Sequence, residues 1–226
     1  MKIKAVLIDI DNTLLDFNKS AFVAMNNVAA SHSVVFPEGY FNVFLKINDE
    51  LWTELEHGNI EKADIYKRRW KSIFDELGIV ADYDAFEDNF RNEMRKTAIT
   101  VDGATEILSY LSEKYPVYTA SNASRFQQEV RLESAGLSKY LSGMFVSEDI
   151  GFQKPAKEFF YACCSALYPI TPNEIVMIGD NVTADIIGAK NFGLKSIWFN
   201  FQRKAYEDYS FTDYCINNLE EIKNII

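Results

Sequence analysis

Residues 3–10 form an apolar, β-branched stretch, the pattern of a strand buried on both faces. Similar stretches recur at residues 116–120, 174–178 and 195–199. A shorter candidate lies at 143–147, and residues 213–216 suggest a final edge strand. Between these runs the apolar positions shift to helical spacing. Residues 103–114 place Ile107, Leu108 and Leu111 on one face, 125–134 stop before Gly136, and 157–167 and 183–191 follow the third and fourth strands. Strands alternating with helices predict an α/β fold with a parallel sheet. The alternation fails over residues 17–97, where 19–31, 40–57, 62–77 and 83–96 all read as helices, broken at Asn59 and Gly78. That block is too long for a crossover. The expected organisation is a catalytic core from residues 1–16 and 98–226, with a helical cap domain inserted at 17–97.

The ends of the strands carry the polar residues of interest. In an open parallel sheet, ligands bind beyond the carboxyl ends of the strands. The first predicted strand runs into Asp9-Ile10-Asp11-Asn12-Thr13. Two carboxylates this close repel unless a cation or a proton is shared. Asp9 is suited to be a nucleophile, and Asp11 to protonate a leaving alkoxide and then activate water. A plain turn with solvated acids is the alternative for this segment alone. The second strand runs into Ser121-Asn122-Ala123-Ser124, whose hydroxyl, amide and following helix N-terminus suit a phosphate, although Ser121 or Ser124 as a simple helix cap explains the same residues. Lys154, before Pro155, offers an ammonium for phosphate, or an ordinary surface charge. The fourth strand ends in Gly179-Asp180, with Asp180 placed to bind a metal and Asp185 to orient Lys154 or a metal-bound water, or to cap the following helix. Each signal is weak by itself. Their occurrence in order at successive strand ends supplies a nucleophile, an acid/base, phosphate donors, a cation and a metal ligand.

Composition narrows the substrate. With 23 basic against 33 acidic residues the net charge is −10, which disfavours a nucleic-acid polymer as ligand and leaves room for a small anion held by local cations and a metal. A hydrophobic content of 48% suffices for a packed core. Cys163, Cys164 and Cys215 lack disulfide or metal-site spacing and read as reduced core thiols; His32 and His57 read as structural or exposed. The apolar run at the N-terminus is too short for a signal core, so a cytoplasmic protein without membrane attachment is expected.

Taken together, the motifs resemble those of the haloacid dehalogenase (HAD) superfamily. Asp9-Ile10-Asp11-Asn12-Thr13 resembles its first motif, Ser121-Asn122 its second, Lys154-Pro155 its third, and Gly179-Asp180 with Asp185 its fourth. The resemblance covers nearly the whole chain. It implies a Rossmann-like sheet with a helical cap inserted after the first strand, and Mg²⁺ held by the Asp9 side chain, the Asp11 backbone carbonyl and the Asp180 side chain. The namesake dehalogenases share the nucleophile but lack the second acid and need no metal, so Asp11 points to a phosphatase. Phosphosugar mutases keep both acids and stay open, as does a non-catalytic binding protein on this fold. In the cap, Leu51-Trp52, His57-Gly58, Ile60 and Arg68-Arg69-Trp70, with the later Ser147-Glu148-Asp149-Ile150-Gly151, are similar to 5′-nucleotidases acting on noncanonical pyrimidine monophosphates. One departure is Asn122-Ala123, where the second motif often reads Asn-Gly. The expected enzyme is a Mg²⁺-dependent phosphomonoester hydrolase, monomeric or homodimeric, acting on a small phosphorylated metabolite. Phe17 and Asn18 are its candidate cap-side substrate contacts. Most other cap aromatics are expected to be core, and Arg68 and Arg69 to be surface residues.

Overall fold

The computed structural model describes residues 2–206 and 208–226. Ala5, Val6, Leu7 and Ile8 are all buried and form β1 (Ala5–Ile8), an inner strand of a six-stranded sheet. The others are β2 (Val117–Ser121), β3 (Gly143–Val146), β4 (Ile175–Gly179), β5 (Lys195–Phe199) and β6 (Tyr214–Ile216). The order is β3-β2-β1-β4-β5-β6 and every pairing is parallel. Side chains alternate between faces, as the two-residue period of a strand requires. Val6 and Ile8 join one apolar cluster with Val117, Val176 and Ile178, while Ala5 and Leu7 join another with Ile175 and Met177. The chain builds outward from β1 through β2 and β3, then returns to β4. The order therefore reverses beside β1, the place where open α/β sheets bind ligands.

The chain divides into two compact units, Met1–Asp16 with Ala98–Ile226, and Phe17–Thr97. The second unit is four helices: α1 (Phe17–Ser31), α2 (Tyr40–Glu56), α3 (Lys62–Leu77) and α4 (Tyr83–Lys96). Their ends follow local chemistry. Glu61 and Asp64 form a reciprocal capping box at the start of α3, Gly78 ends it with φ 65°, and the Asp82 carboxylate accepts from the Ala85 N–H at the start of α4. The core is aromatic, with Phe44, Trp70, Phe74, Phe86 and Phe90 all buried and Trp70 and Phe86 4.3 Å apart at their centroids. One expectation is overturned here. Arg69 is buried rather than on the surface, because Glu87 takes it in a two-pronged ion pair of 2.6 and 3.1 Å and Asn48 accepts a third bond at 3.1 Å. Arg68 does lie outside, paired with Glu54.

In the sheet unit, α5 (Ala104–Ser112) and α6 (Arg125–Ser134) cover the face bearing Val6 and Ile8, through Ile107, Leu108 and Leu111 and through Leu132. The single turn α7 (Ser147–Ile150) follows β3. Then α8 (Lys157–Ala166) and α9 (Gly188–Phe192) cover the opposite face through Phe159, Phe160, Cys163 and Ala189. The segment read as one helix at 183–191 is instead a π-helical turn, Val182–Ile187, running into α9. Such widened turns often sit at functional sites, and this one carries Asp185. The segments flanking the helical unit are tied together within the sheet unit. Asp16 N–H donates to Ile99 O at 2.8 Å, Val101 N–H donates to Leu14 O at 3.0 Å, and Leu15 bridges Thr100 antiparallel. Among the described residues no helix is long and apolar enough to cross a membrane.

Candidate active site

Asp9 is the first residue past β1. Its N–H still donates to Ile178 O of β4, at 2.8 Å, so the sheet fixes its backbone. The chain then turns sharply. Ile10 O accepts from the N–H groups of Thr13, Leu14 and Leu15, and Asn12 N–H donates to Leu15 O at 2.7 Å. Asn12 takes φ 60°, a left-handed conformation that asparagine tolerates better than most side chains. Asp9 and Asp11 thus stand on a short loop, braced by these backbone bonds, at the strand-order reversal.

Lys154 is no surface charge. It is 2% exposed, and its Nζ donates to Asp9 Oδ1 at 2.7 Å, Asp185 Oδ1 at 2.6 Å and Ala120 O at 2.6 Å. Those three acceptors match the three hydrogens of an ammonium. Its backbone is held as firmly as its head. Asn122 Oδ1 accepts from Lys154 N–H at 2.8 Å, and Asn122 Nδ2 donates to Lys154 O at 2.9 Å. The amide that the sequence offered as a phosphate donor therefore orients the lysine. Ser121 Oγ accepts from Ala123 N–H at 3.1 Å and Gln128 Nε2 at 3.2 Å, while Ser124 makes no side-chain cap bond to α6.

Asp185 pairs with Lys154 through Oδ1 and accepts from Asn181 N–H through Oδ2 at 3.1 Å. Asn181 Oδ1 in turn caps the turn that carries Asp185, accepting from Thr183 and Ala184 N–H. Gly179 is required here because a Cβ would stand 2.2 Å from Asp185 Oδ2. The carboxylates of Asp9, Asp180 and Asp185 each bring an oxygen within 4.8 Å of the others. Three carboxylates face one ammonium, a surplus of negative charge. Burial pushes Asp9 from its ordinary 3.8 up to about 7; Lys154 pulls against that and Asp185 adds to it. Burial, then the Asp9 and Asp185 charges, also raise Asp180 well above the usual carboxylate range. Burial would lower Lys154, but the Asp185 and Asp9 carboxylates outweigh it and hold the ammonium above its ordinary value. An all-oxygen donor set with unbalanced negative charge fits a hard divalent cation. Both Asp185 oxygens have partners, which leaves Asp9 and Asp180 as the freer side-chain ligands.

The Asp11 carboxylate points to α6. Oδ1 accepts from Arg131 Nη1 and Oδ2 from Gln128 Nε2, both at 2.6 Å. Sequence reasoning passed over Gln128 and Arg131. The available signal was two long polar side chains three residues apart, flanking Leu132 on the face of α6 that packs on the sheet. Phe17 and Asn18 begin α1 in the helical unit, half-buried there, with Phe17 stacked on Phe44 at 6.4 Å. His32 lies beside Asn89 Nδ2 at 2.8 Å, and burial pushes the Cys163 thiol up to about 12, consistent with an inert core cysteine.

Comparison with known proteins gives a consistent picture. The model of the haloacid dehalogenase-like hydrolases matches residues 3–193. The chain is 31% identical to the pyrimidine 5′-nucleotidase PynA of Streptococcus pneumoniae, over 93% of this chain and 92% of that one. It is 26% identical to the pyrimidine 5′-nucleotidase YjjG of Escherichia coli, over 100% and 99%. The magnesium-bound crystal structure of the HAD-hydrolase YfnB of Bacillus subtilis superposes with a TM-score of 0.93 at 29% identity, covering 100% of this chain and 99% of that one.

Proposed function

The chain belongs to the haloacid dehalogenase-like hydrolases, and from that premise we propose that it is a phosphomonoester hydrolase that uses Asp9 as nucleophile on a small phosphorylated metabolite, with nucleoside 5′-monophosphates the leading class. The observation that carries this reading is the cluster at the sheet's reversal point, where Asp9 is fixed by the sheet, touched by a buried lysine and surrounded by surplus carboxylate charge.

An Asp9 oxygen attacks phosphorus, the ester P–O bond breaks, and Asp11, once its solvent-open carboxylate has taken up a proton, gives that proton to the departing alkoxide. Water then attacks the aspartyl-phosphate as Asp11 takes its proton, the bond between phosphorus and the Asp9 oxygen breaks, and inorganic phosphate leaves. Lys154 offsets charge on the phosphoryl oxygens and orients Asp9. The Ser121 hydroxyl, whose two bonds described above are both accepted, keeps its hydrogen to donate to a phosphoryl oxygen. The side chains of Asp9 and Asp180 and the backbone carbonyl of Asp11 would hold Mg²⁺, which would supply charge neutralisation at the phosphoryl group. Asp185 keeps Lys154 in place. The helical unit, inserted between the first strand and the rest of the sheet, is the candidate cap that excludes water during the first transfer, and Phe17 and Asn18 are its candidate substrate contacts.

The nucleotide preference rests on the two relatives named as pyrimidine 5′-nucleotidases. The test is phosphate release from a panel of nucleoside monophosphates and sugar phosphates, with and without Mg²⁺. Release that needs Mg²⁺ and is fastest from pyrimidine nucleoside 5′-monophosphates supports the reading. Isomerised sugar phosphate without free phosphate would mean a mutase. No turnover of any ester would mean a binding protein.

A further inference from the structure

We infer that Gln128 and Arg131 are positioning residues for Asp11, a clamp that sets the direction in which the acid/base carboxylate faces; the assignment rests on the phosphatase reading above. Both lie on α6 three residues apart, on one face of the helix, and both are fully buried. Each takes a different oxygen of Asp11, Arg131 Nη1 on Oδ1 and Gln128 Nε2 on Oδ2, at 2.6 Å. A second bond joins the pair to each other, Arg131 Nη1 to Gln128 Oε1 at 2.9 Å. Gln128 Nε2 also reaches Ser121 Oγ at 3.2 Å, so one amide touches both the acid/base residue and the serine after β2.

Packing alone does not explain this arrangement. The inner face of α6 meets a sheet covered with valine and isoleucine, where a leucine would fit at no electrostatic cost. Arg131 instead brings a guanidinium into that interior, and its Nε and Nη2 find no partner among the described residues. Burying unpaired donors is unfavourable. Among the described residues its ion pair is with Asp11, whose side chain stays 29% exposed and so remains open to a ligand. With both oxygens tethered from one side, the carboxylate cannot rotate freely. The loop holds its backbone while α6 holds its head.

The test uses the intact protein with Mg²⁺ and two substrates: a nucleoside 5′-monophosphate, whose alkoxide needs a proton to leave, and p-nitrophenyl phosphate, whose phenolate does not. The leaving-group burst is measured for wild type, Arg131→Met, Asp11→Asn and the double variant. Arg131→Met is expected to slow the nucleotide burst by about 10- to 100-fold, with KM changed less than about threefold. The nitrophenyl burst should fall distinctly less, and adding Arg131→Met to Asp11→Asn should cause no further loss. Equal losses on both esters, or a further loss in the Asp11→Asn background, would show that Arg131 is only structural. Gln128→Met keeps the ion pair and should give the same pattern at smaller size; it decides the matter if Arg131→Met does not fold. Full activity of Arg131→Met with an inactive Asp9→Asn overturns this inference alone, whereas an active Asp9→Asn overturns the phosphatase reading and this inference with it.

Discussion

Both compact units bury ion pairs, but they surround them differently. In the helical unit, Arg69 meets Glu87 through two bonds, adds Asn48, and lies 4.9 Å from the centroid of the Phe90 ring. One positive charge answers one negative charge, in an aromatic core. In the sheet unit, Lys154 answers Asp9 and Asp185, while Asp180 beside them makes no ion pair among the described residues and feels Lys154 and Lys204 only weakly against its burial. The first group is electrically complete and needs nothing from outside to hold its helices in register. The second is incomplete, and burial pushes two of its acids upward as a result. Unbalanced buried charge costs stability, so its presence marks a place built to receive something.

The largest expected effect separates the two groups by activity. Asp9→Asn should lower turnover by about 10⁴-fold or more while leaving the metal-free protein at least as stable as wild type, because it relieves the surplus charge; near-normal phosphate release would remove the nucleophile from the scheme. The reverse pattern is expected in the helical unit. Arg69→Met leaves Glu87 buried without its ion-pair partner, and should cost about 3–5 kcal/mol in a urea melt. A cost below about 1 kcal/mol would mean that the pair behaves like a surface contact, and a Glu87→Leu partner change should recover much of the loss.

A pH titration sharpens the contrast further. The folded pKa of Asp9 lies above its unfolded value, so the native state binds the extra proton between about 4 and 7. The resulting stabilisation is complete below the unfolded pKa and is lost as pH rises through about 7. Metal-free protein should therefore lose on the order of 2–4 kcal/mol of stability from pH 5 to pH 8, read in urea melts, and Mg²⁺ should reverse the loss at the alkaline end. Unchanged melting across that range would show that the charges are already balanced. The smallest effect is expected at Asn122→Ala, which frees the Lys154 backbone from two bonds and should reduce kcat/KM about tenfold with little change in melting temperature.

Much of this was legible in the chain because buried parallel strands leave continuous apolar runs, and those at residues 174–178 and 195–199 mark β4 to within a residue at each end and β5 at both ends. The helices α3, α4 and α6 also lie where the pattern places them, since Glu61, Asp82 and the glycines at 78 and 136 punctuate them locally. The four polar segments at the strand ends were visible for the same reason: sheet order turns sequence position into spatial proximity. What stayed hidden depends on contacts between distant residues. Arg69 and Glu87 sit on different helices, and nothing in either neighbourhood announces the other. The link from Asn122 to the Lys154 backbone joins two loops, and the widened turn at 182–187 carries Asp185 into an ion pair with a lysine 31 residues away, which no local propensity encodes. Gln128 and Arg131 resemble surface residues until the helix face they occupy is known.

The short antiparallel seam between residues 14–16 and 99–101 has an evolutionary consequence. It fastens the incoming and outgoing chain before the helices begin, so the loop after β1 is closed by its own rungs. Lengthening what lies beyond such a joint adds only about 0.6 kcal/mol for each doubling of the excursion. The joint works as a socket: the excursion beyond it can grow or shrink while β1 and the loop that follows keep their place.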